Sequence, residues 1–257
     1  MMKRLWNSFK IAFAMYSKIP MPGADWEKEN MRYMMCFFPL IGIVIGALTV
    51  GWAWLSERLQ AGEILKSAVY VLIPVAVTGG IHLDGLLDTA DALSSYQPRE
   101  RKLEILKDSH AGAFAIIVCC SYFLAAFAVW SEADAGSVQI LTLGFVLSRA
   151  LSGFGICTFP CAKNTGLAAT FANAADRKKA RVCLLLEAAA CMAAMIWLDW
   201  RRGIAAAAAA VIVCMLCRRM ALKKFGGITG DIQGFFLQVC ELAMAAVLVA
   251  LQYAPAG

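Results

Sequence analysis

Seven apolar runs divide this chain of 257 residues, and most are long enough to cross a lipid bilayer as a helix. A helix needs roughly 20 apolar residues to span the hydrocarbon core, where backbone polar groups must be paired within the protein. With 61% hydrophobic and 16% charged residues, the composition excludes an ordinary soluble domain. We therefore predict one all-α domain over residues 1–257, a polytopic membrane bundle of about seven transmembrane helices. The predicted spans are Met34–Leu55, Ser67–Leu83, Ala113–Trp130, Val138–Thr158, Val182–Leu198, Gly203–Cys217 and Phe236–Tyr253.

The distribution of lysine and arginine predicts the orientation of this bundle, because short cytoplasmic loops carry an excess of both residues. With the N-terminus in the cytoplasm, four cytoplasmic segments hold 19 of the 24 lysines and arginines. Six precede the first span, four lie in 84–112, five in 159–181 and four in 218–235. The same bias accounts for the net charge of +6, so no nucleic-acid partner is predicted. The polar chemistry is expected in loops 84–112 and 218–235, facing the cytoplasm.

Residues 1–26 predict an interfacial helix that ends in a rigid turn at Pro20 and Pro22. Apolar and aromatic residues alternate there with basic ones, as in helices that lie on the inner leaflet and contact membrane lipid. A short solvated tail is the alternative.

Three carboxylates, those of Asp84, Asp88 and Asp91, follow the second span at spacings of four and then three residues. On a helix this spacing places them on one stripe. Like charges so close repel one another, which favours a bound cation, and oxygen ligands favour Mg²⁺. The plain alternative is a solvated acidic helix start. His82 lies off the stripe and is either a proton acceptor or a packing or capping residue.

A charged helix is predicted over 99–112, and its end brings Lys107 and Asp108 to the membrane surface. Lys107 can neutralise phosphate oxygens, and Asp108 can add a fourth carboxylate to the metal site. The basic residues earlier in this helix either contact phosphate or anchor it to the inner leaflet.

A glycine-rich loop near the C-terminus predicts a phosphate cradle, because glycine lets the backbone approach a ligand closely. The residues expected to bind substrate there are Lys224, Gly227, Thr229, Gly230 and Asp231.

Three ionisable residues, Arg149, Glu187 and Glu241, lie in or near predicted spans. Such groups are costly in lipid and are expected to face the bundle interior or a polar cavity. Arg149 either pairs with one of the glutamates or binds an anionic substrate, and the sequence leaves both readings open.

Three segments together resemble the cobalamin synthase family of adenosylcobinamide-GDP ribazoletransferases. They are the string from Gly79 to Leu93, the segment Leu106-Lys107-Asp108-Ser109 with Gly112, and the loop from Gly227 to Asp231 with Glu241. The likeness runs in the same order over nearly the whole chain, and the aspartate string is its most specific part. The chain departs from the family pattern around His110 and Lys163.

The resemblance implies an Mg²⁺-dependent enzyme of the bacterial or archaeal cytoplasmic (inner) membrane. It joins adenosylcobinamide-GDP to α-ribazole or its 5'-phosphate: a ribazole hydroxyl attacks the cobinamide-linked phosphate and GMP leaves. The residue chemistry fits this reaction independently. We expect one of the carboxylates or His82 to accept the hydroxyl proton, and we expect Lys107, Lys224 and Arg149 to offset phosphate charge. A homo-oligomer is left open. The residues expected to hold Mg²⁺ are Asp84, Asp88, Asp91 and Asp108, with Asp231 as an alternative fourth ligand.

Two other classes are weighed against this reading. A CDP-alcohol phosphotransferase also uses a membrane-surface aspartate cluster, but this chain lacks the Ala-Arg pair expected after Asp84-Gly85. A cation transporter needs carboxylates along a path near the bilayer centre, where only Glu187 and Glu241 qualify.

Overall fold

The computed structural model describes residues 2–108, 110–163 and 166–254. Within these ranges the chain is almost entirely helical, and its only β pairing is an isolated parallel bridge between Cys161 and Ile228. A short 3-10 turn, Met34–Phe37, precedes the second α-helix. The α-helices are α1 (Met2–Tyr16), α2 (Phe38–Arg58), α3 (Glu63–Thr78), α4 (Ile81–Ser94), α5 (Arg99–Ile105), α6 (Ala113–Glu132), α7 (Ala135–Thr158), α8 (Leu167–Ala174), α9 (Arg177–Leu198), α10 (Trp200–Phe225) and α11 (Gly230–Gln252).

The predicted polytopic helical bundle is confirmed. Six segments of the described chain are individually long and apolar enough to cross a membrane: α2 with its preceding turn, α6, α7, α9, α10 and α11. The helices α3 and α4 pass the same test only as a pair, and the pair is bent by 95°. Asp199 alone separates α9 from α10, so these two helices form a tight hairpin.

The bend between α3 and α4 corrects the predicted span Ser67–Leu83. The helix ends at Thr78 because Gly79 and Gly80 adopt φ angles of 65° and 82°, in the left-handed region that glycine tolerates best. A new helix then starts at Ile81 in a different direction. As a result, α4 carries the whole aspartate stripe away from the axis of α3.

Two further boundaries differ from the sequence prediction. The segment 218–235 is mostly helical, since α10 continues to Phe225 and α11 begins at Gly230. Asp231 therefore lies in the first turn of a helix. The charged helix α5 ends at Ile105, so that Lys107 and Asp108 follow it in a non-helical segment instead of closing a helix that reaches residue 112.

Helix α7 lies at the centre of the bundle, where it packs against α2, α9, α10 and α11. Gly42 on α2 allows this packing, because a Cβ there would overlap the backbone carbonyl group of Phe145. Small residues at such crossings let helix backbones approach in lipid.

The predicted N-terminal helix exists as α1, and one of its faces packs on the bundle. Ile11 and Ala12 are fully buried, and the hydroxyl of Ser8 donates to the backbone oxygen of Asn30 over 2.5 Å. This packing brings Tyr16, the last residue of α1, next to α2 and α4. Contact of the opposite face with lipid stays a prediction.

Candidate active site

The site is built where α4 crosses the start of α11. A Cβ on Gly85 would lie 2.6 Å from the backbone oxygen of Asp231, and one on Gly234 would lie 2.9 Å from the backbone oxygen of His82. Both distances are too short for a real side chain. One glycine on each helix therefore lets two segments about 150 residues apart in sequence lie in direct backbone contact.

This crossing gathers carboxylates from both helices. The predicted placement of Asp84, Asp88 and Asp91 on one helix is confirmed. Asp84 is exposed and Asp88 is half-buried, and the negative charges of Asp84, Asp231 and Asp91 all act on Asp88. Asp231 is held by the start of its helix, where Thr229 caps α11 by accepting from the backbone N–H of Ile232. The hydroxyl of Thr229 also donates to a carboxylate oxygen of Asp231 over 3.3 Å.

Asp91 makes a different set of contacts from the other aspartates of α4. Its Oδ2 accepts from the backbone N–H of Gly112 over 2.5 Å, and its Oδ1 accepts from that of Ala115 over 2.8 Å. The carboxylate thus satisfies unpaired N–H groups at the start of α6, where the helix dipole also favours a negative charge. In this arrangement Asp91 joins α4 to α6.

Asp108 lies apart from the aspartates of α4 and α11. It is exposed, and it accepts from the backbone N–H of His110 over 3.0 Å and contacts Nδ1 of the same residue over 2.8 Å. These hydrogen bonds hold the pKa of Asp108 below its usual value. No contact among the described residues joins it to Asp84 or Asp88, and the neighbouring Ser109 of the sequence motif lies outside the described residues.

The donor set can be tested against the expected Mg²⁺. Within the described part of the chain, no group of three His, Cys, Asp or Glu side chains is arranged to hold a metal ion alone. Mg²⁺ is usually bound through one or two carboxylates, with substrate phosphates and water completing its shell. Asp84 and Asp88, one helical turn apart, supply carboxylates of that number and kind. The residues therefore fit an ion that is shared with a phosphate-bearing substrate.

A cavity lined by two lysines adjoins one side of Asp231. Lys107 and Lys163 line it together with Thr229, Gly230 and Asp231. Nζ of Lys163 donates to the backbone oxygen of Leu103 over 2.9 Å. Burial, together with the positive charge of nearby Lys107, lowers the pKa of Lys163. Two cations held this close favour an anionic ligand.

A second cavity, with mostly apolar and aromatic walls, adjoins Asp231 from the other side. Tyr16, Phe38 and His82 contribute to its wall, and Gly230 and Asp231 line it as well as the lysine cavity. Asp231 therefore lies at the boundary between a cationic cavity and an aromatic one.

Arg149 lies in the bundle interior and pairs with one of the two candidate glutamates. Its Nη1 donates to Glu241 Oε1 and to the backbone oxygen of Phe145, each over 2.8 Å. Ser148 donates to the same glutamate oxygen over 2.9 Å. The pair joins α7 to α11, two turns below the crossing with α4, and Arg149 is fully buried.

The rest of the predicted phosphate cradle divides into two parts. Gly227 is buried against the segment from Pro160 to Ala162, where the backbone N–H of Ile228 donates to Pro160 over 2.9 Å. Lys224 is exposed in the last turn of α10 and does not line either cavity. Of the five predicted cradle residues, Thr229, Gly230 and Asp231 lie at the carboxylate site.

Two residues that line the cavities beside Asp231 are not predicted from the sequence. Lys163 departs from the family pattern in sequence, yet it shares a cavity with Lys107. Tyr16 belongs to the predicted interfacial segment, yet it lines the aromatic cavity. The only sequence signal for Lys163 was a lone cation after Pro160, which does not reveal its proximity to a segment 56 residues earlier.

Comparison with known proteins identifies relatives of this chain. A protein of Lachnoclostridium phytofermentans named adenosylcobinamide-GDP ribazoletransferase is 44% identical to the chain, over 95% of this chain and 94% of the relative. Proteins of the same name from Clostridium botulinum and a Geobacillus species are 33% and 30% identical, each over more than nine-tenths of both chains. No solved structure matches the chain.

The family model described as cobalamin-5-phosphate synthase matches residues 8–249. That range contains the aspartates of α4, both lysines of the cationic cavity, the aromatic wall and Asp231. The chain therefore belongs to the cobalamin-5-phosphate synthase family.

Proposed function

We propose that this protein joins adenosylcobinamide-GDP to α-ribazole, or to its 5'-phosphate, and releases GMP in the assembly of the cobalamin nucleotide loop. The proposal is supported by the family match and by the names of the relatives. The structural observation that carries it is the position of Asp231, which meets the aspartates of α4 between a lysine-lined cavity and an aromatic one. A transfer between an anionic donor and a nucleoside acceptor requires one binding site for each substrate, with the reacting groups held between them.

The reaction is a displacement at phosphorus. A ribazole hydroxyl oxygen forms a bond to the cobinamide-linked phosphorus, the bond from that phosphorus to the oxygen bridging to GMP breaks, and the hydroxyl proton passes to a base. Asp231 is half-buried and lines both cavities, and we assign its carboxylate as the base. In such reactions most of the catalysis comes from positioning and from stabilising charge on the phosphate oxygens.

Mg²⁺ is part of the proposal. Asp84 and Asp88 are the residues that would hold it, because they present two carboxylates on successive turns beside Asp231. When bound, the ion would neutralise phosphate oxygens of the donor. Without a counter-charge the clustered carboxylates would repel the donor's diphosphate.

We assign the lysine cavity to the GMP part of the donor, which is the leaving group. Lys107 and Lys163 are held close together, and a guanosine phosphate carries the negative charge that would relieve their repulsion. GMP would then leave from the lysine cavity with its negative charge, and the joined product, which carries less charge, would be bound there less strongly.

We place the protein in the cytoplasmic membrane with this site facing the cytoplasm. The loops on the side of the site are those rich in lysine and arginine, as the positive-inside bias requires. The donor and both acceptor forms are soluble, so a cytoplasmic opening is the one they can reach.

The test is GMP release by purified protein in detergent, given adenosylcobinamide-GDP and α-ribazole with and without Mg²⁺. We expect Mg²⁺-dependent release coupled to corrinoid product, and at least a hundredfold lower rate in Asp84→Asn and Asp231→Asn. The matched control is Asp25→Asn, an exposed carboxylate remote from the crossing. Absence of GMP release with both acceptor forms would refute the proposed reaction, whereas a metal-independent rate would refute only the role of Mg²⁺.

A further inference from the structure

The aromatic cavity has the form of a ligand pocket. Its cavity volume is about 70 Å³, below the roughly 300–1,000 Å³ of sites for drug-sized ligands, so it suits one small group of a substrate and not a whole large ligand. Its wall is mainly apolar, and the polar groups on it are few. It is formed by α1, α2, α4, α7 and α11, so that it lies inside the bundle at the level of the α4–α11 crossing.

His82 is one of the residues that line this cavity, and within the described chain it carries an unpaired polar atom. The residue is 4% exposed, and its Nε2 is buried without a hydrogen-bond partner among the described residues. A buried polar group without a partner costs about 1–3 kcal/mol, which a packing histidine would ordinarily avoid. A ligand that accepts a hydrogen bond in the cavity would remove that cost.

Two aromatic rings pack against His82 in this wall. The ring centroid of Tyr16 lies 6.0 Å from that of His82 with an interplanar angle of 25°, and that of Phe38 lies 5.7 Å away at 62°. Ser152 and Gln233 line the same cavity, and they are already bonded to each other over 2.9 Å. An acyl chain would fill the apolar space but would leave His82 unpaired, so a planar heteroaromatic group is favoured.

The position of the cavity indicates which substrate would enter it. Gly230 and Asp231 line both this cavity and the lysine cavity, so a group bound here is adjacent to the carboxylate that we assign as base. The lysine cavity suits the phosphates of the donor. The aromatic cavity is left for the acceptor nucleoside, whose sugar would extend towards Asp231.

We infer that this cavity binds the benzimidazole base of the acceptor nucleoside, with Nε2–H of His82 donating to the unsubstituted ring nitrogen. This inference rests on the proposed function and deepens it. It gives His82 a binding role, in place of the proton-accepting role that the sequence suggested. Discrimination among bases would follow, since a base without that nitrogen leaves His82 unpaired.

The first experiment needs no variant. The free base, 5,6-dimethylbenzimidazole, is added to the wild-type protein during steady-state transfer. We expect inhibition that is competitive with α-ribazole and not with adenosylcobinamide-GDP. Inhibition that competes with the donor, or no inhibition at millimolar base, would overturn the inference. GMP release in the uninhibited reaction separates that result from a failure of the proposed function.

The second experiment uses His82→Phe, which keeps a ring of similar size, and His82→Gln, which keeps an amide donor. We expect KM for α-ribazole to rise about tenfold in the first variant, the loss expected for one buried hydrogen bond, and to recover partly in the second. KM for the donor should stay within twofold. Equal changes in both KM values, or a change in kcat alone, would contradict a base-binding role.

A ribazole analogue with C–H in place of the unsubstituted nitrogen completes the design. Wild-type protein should bind it about tenfold more weakly than α-ribazole, whereas His82→Phe should not distinguish the two. The control is His110→Gln at the other histidine of the chain, which is exposed and does not line this cavity. Its two KM values should be unchanged. Equal discrimination by wild type and His82→Phe would exclude the contact.

Discussion

Gly85 on α4 lies directly against the backbone of Asp231 on α11. A Cβ on Gly85 would lie 2.6 Å from the backbone oxygen of Asp231 and 3.0 Å from its Cα. The missing side chain is what allows the two carboxylate-bearing helices to meet. The carboxylates of Asp84, Asp88 and Asp231 are therefore positioned by a contact between main chains.

Replacing Gly85 with alanine should test this contact. The added methyl group would push α4 from α11, lowering stability by about 1–3 kcal/mol and reducing transfer much more than stability. Thermal unfolding in detergent and GMP release would be measured together. Gly51→Ala is the control, since a Cβ there meets nothing within 4 Å. Full activity in Gly85→Ala would show that the crossing tolerates a wider separation.

Asp91 and Asp84 should respond differently to the same change. In Asp91→Asn only one oxygen remains to accept from the start of α6, and the charge that suits this helix end is lost, so stability should fall by about 1 kcal/mol. Asp84→Asn should leave the unfolding temperature near that of wild type while abolishing transfer. A titration of activity with Mg²⁺ decides the role of Asp91. An increase in the Mg²⁺ requirement of Asp91→Asn would support its predicted role as a ligand.

Lys163→Gln should weaken binding of the donor and of GMP. Removing one of two adjacent cations lowers the attraction for phosphate, so KM for adenosylcobinamide-GDP and the inhibition constant of GMP should each rise about three- to tenfold, which corresponds to roughly 0.7–1.4 kcal/mol. KM for α-ribazole should be unaffected. Lys178→Gln, an exposed lysine at the start of α9, is the matched control. A change confined to the acceptor would place the lysine cavity on the other side of the reaction.

The ion pair of Arg149 and Glu241 should behave as one unit. Glu241→Gln leaves a buried, uncompensated guanidinium and should lower stability by about 3–5 kcal/mol. Combining Arg149→Met with Glu241→Leu should cost less than the sum of the two single changes, and thermal unfolding would measure the coupling. If the double variant is stable but has a raised KM for the donor, Arg149 contacts the anionic substrate, the reading that the sequence left open.

The helical class and most of the spans follow from hydropathy, because each run must satisfy its own backbone in lipid. The stripe on α4 follows equally directly, since its spacing is a property of one helix. The 95° bend was missed because the apolar run continues through Gly79 and Gly80. Hydropathy and periodicity do not register the left-handed φ angles of these two glycines, which change the direction of the chain.

Contacts between distant segments could not be predicted from patterns within them. The meeting of Asp231 with α4 depends on Gly85 and Gly234, each of which is unremarkable in its own segment. The placement of Lys163 beside Lys107 depends on a backbone pairing between the segments around Cys161 and Ile228. Asp108 illustrates the converse: its motif suggested a fourth ligand, but local hydrogen bonds hold it to His110.

The bend at Gly79 and Gly80 has a consequence for how a bulky substrate reaches the protein. Because α4 lies at 95° to α3, it runs across the direction of α3 and forms a shelf that holds the aspartate stripe against the start of α11. A substrate that approaches from the exposed side of Asp84 needs to bring only its phosphate-bearing arm to this shelf. The bulk of such a substrate can then stay outside the bundle.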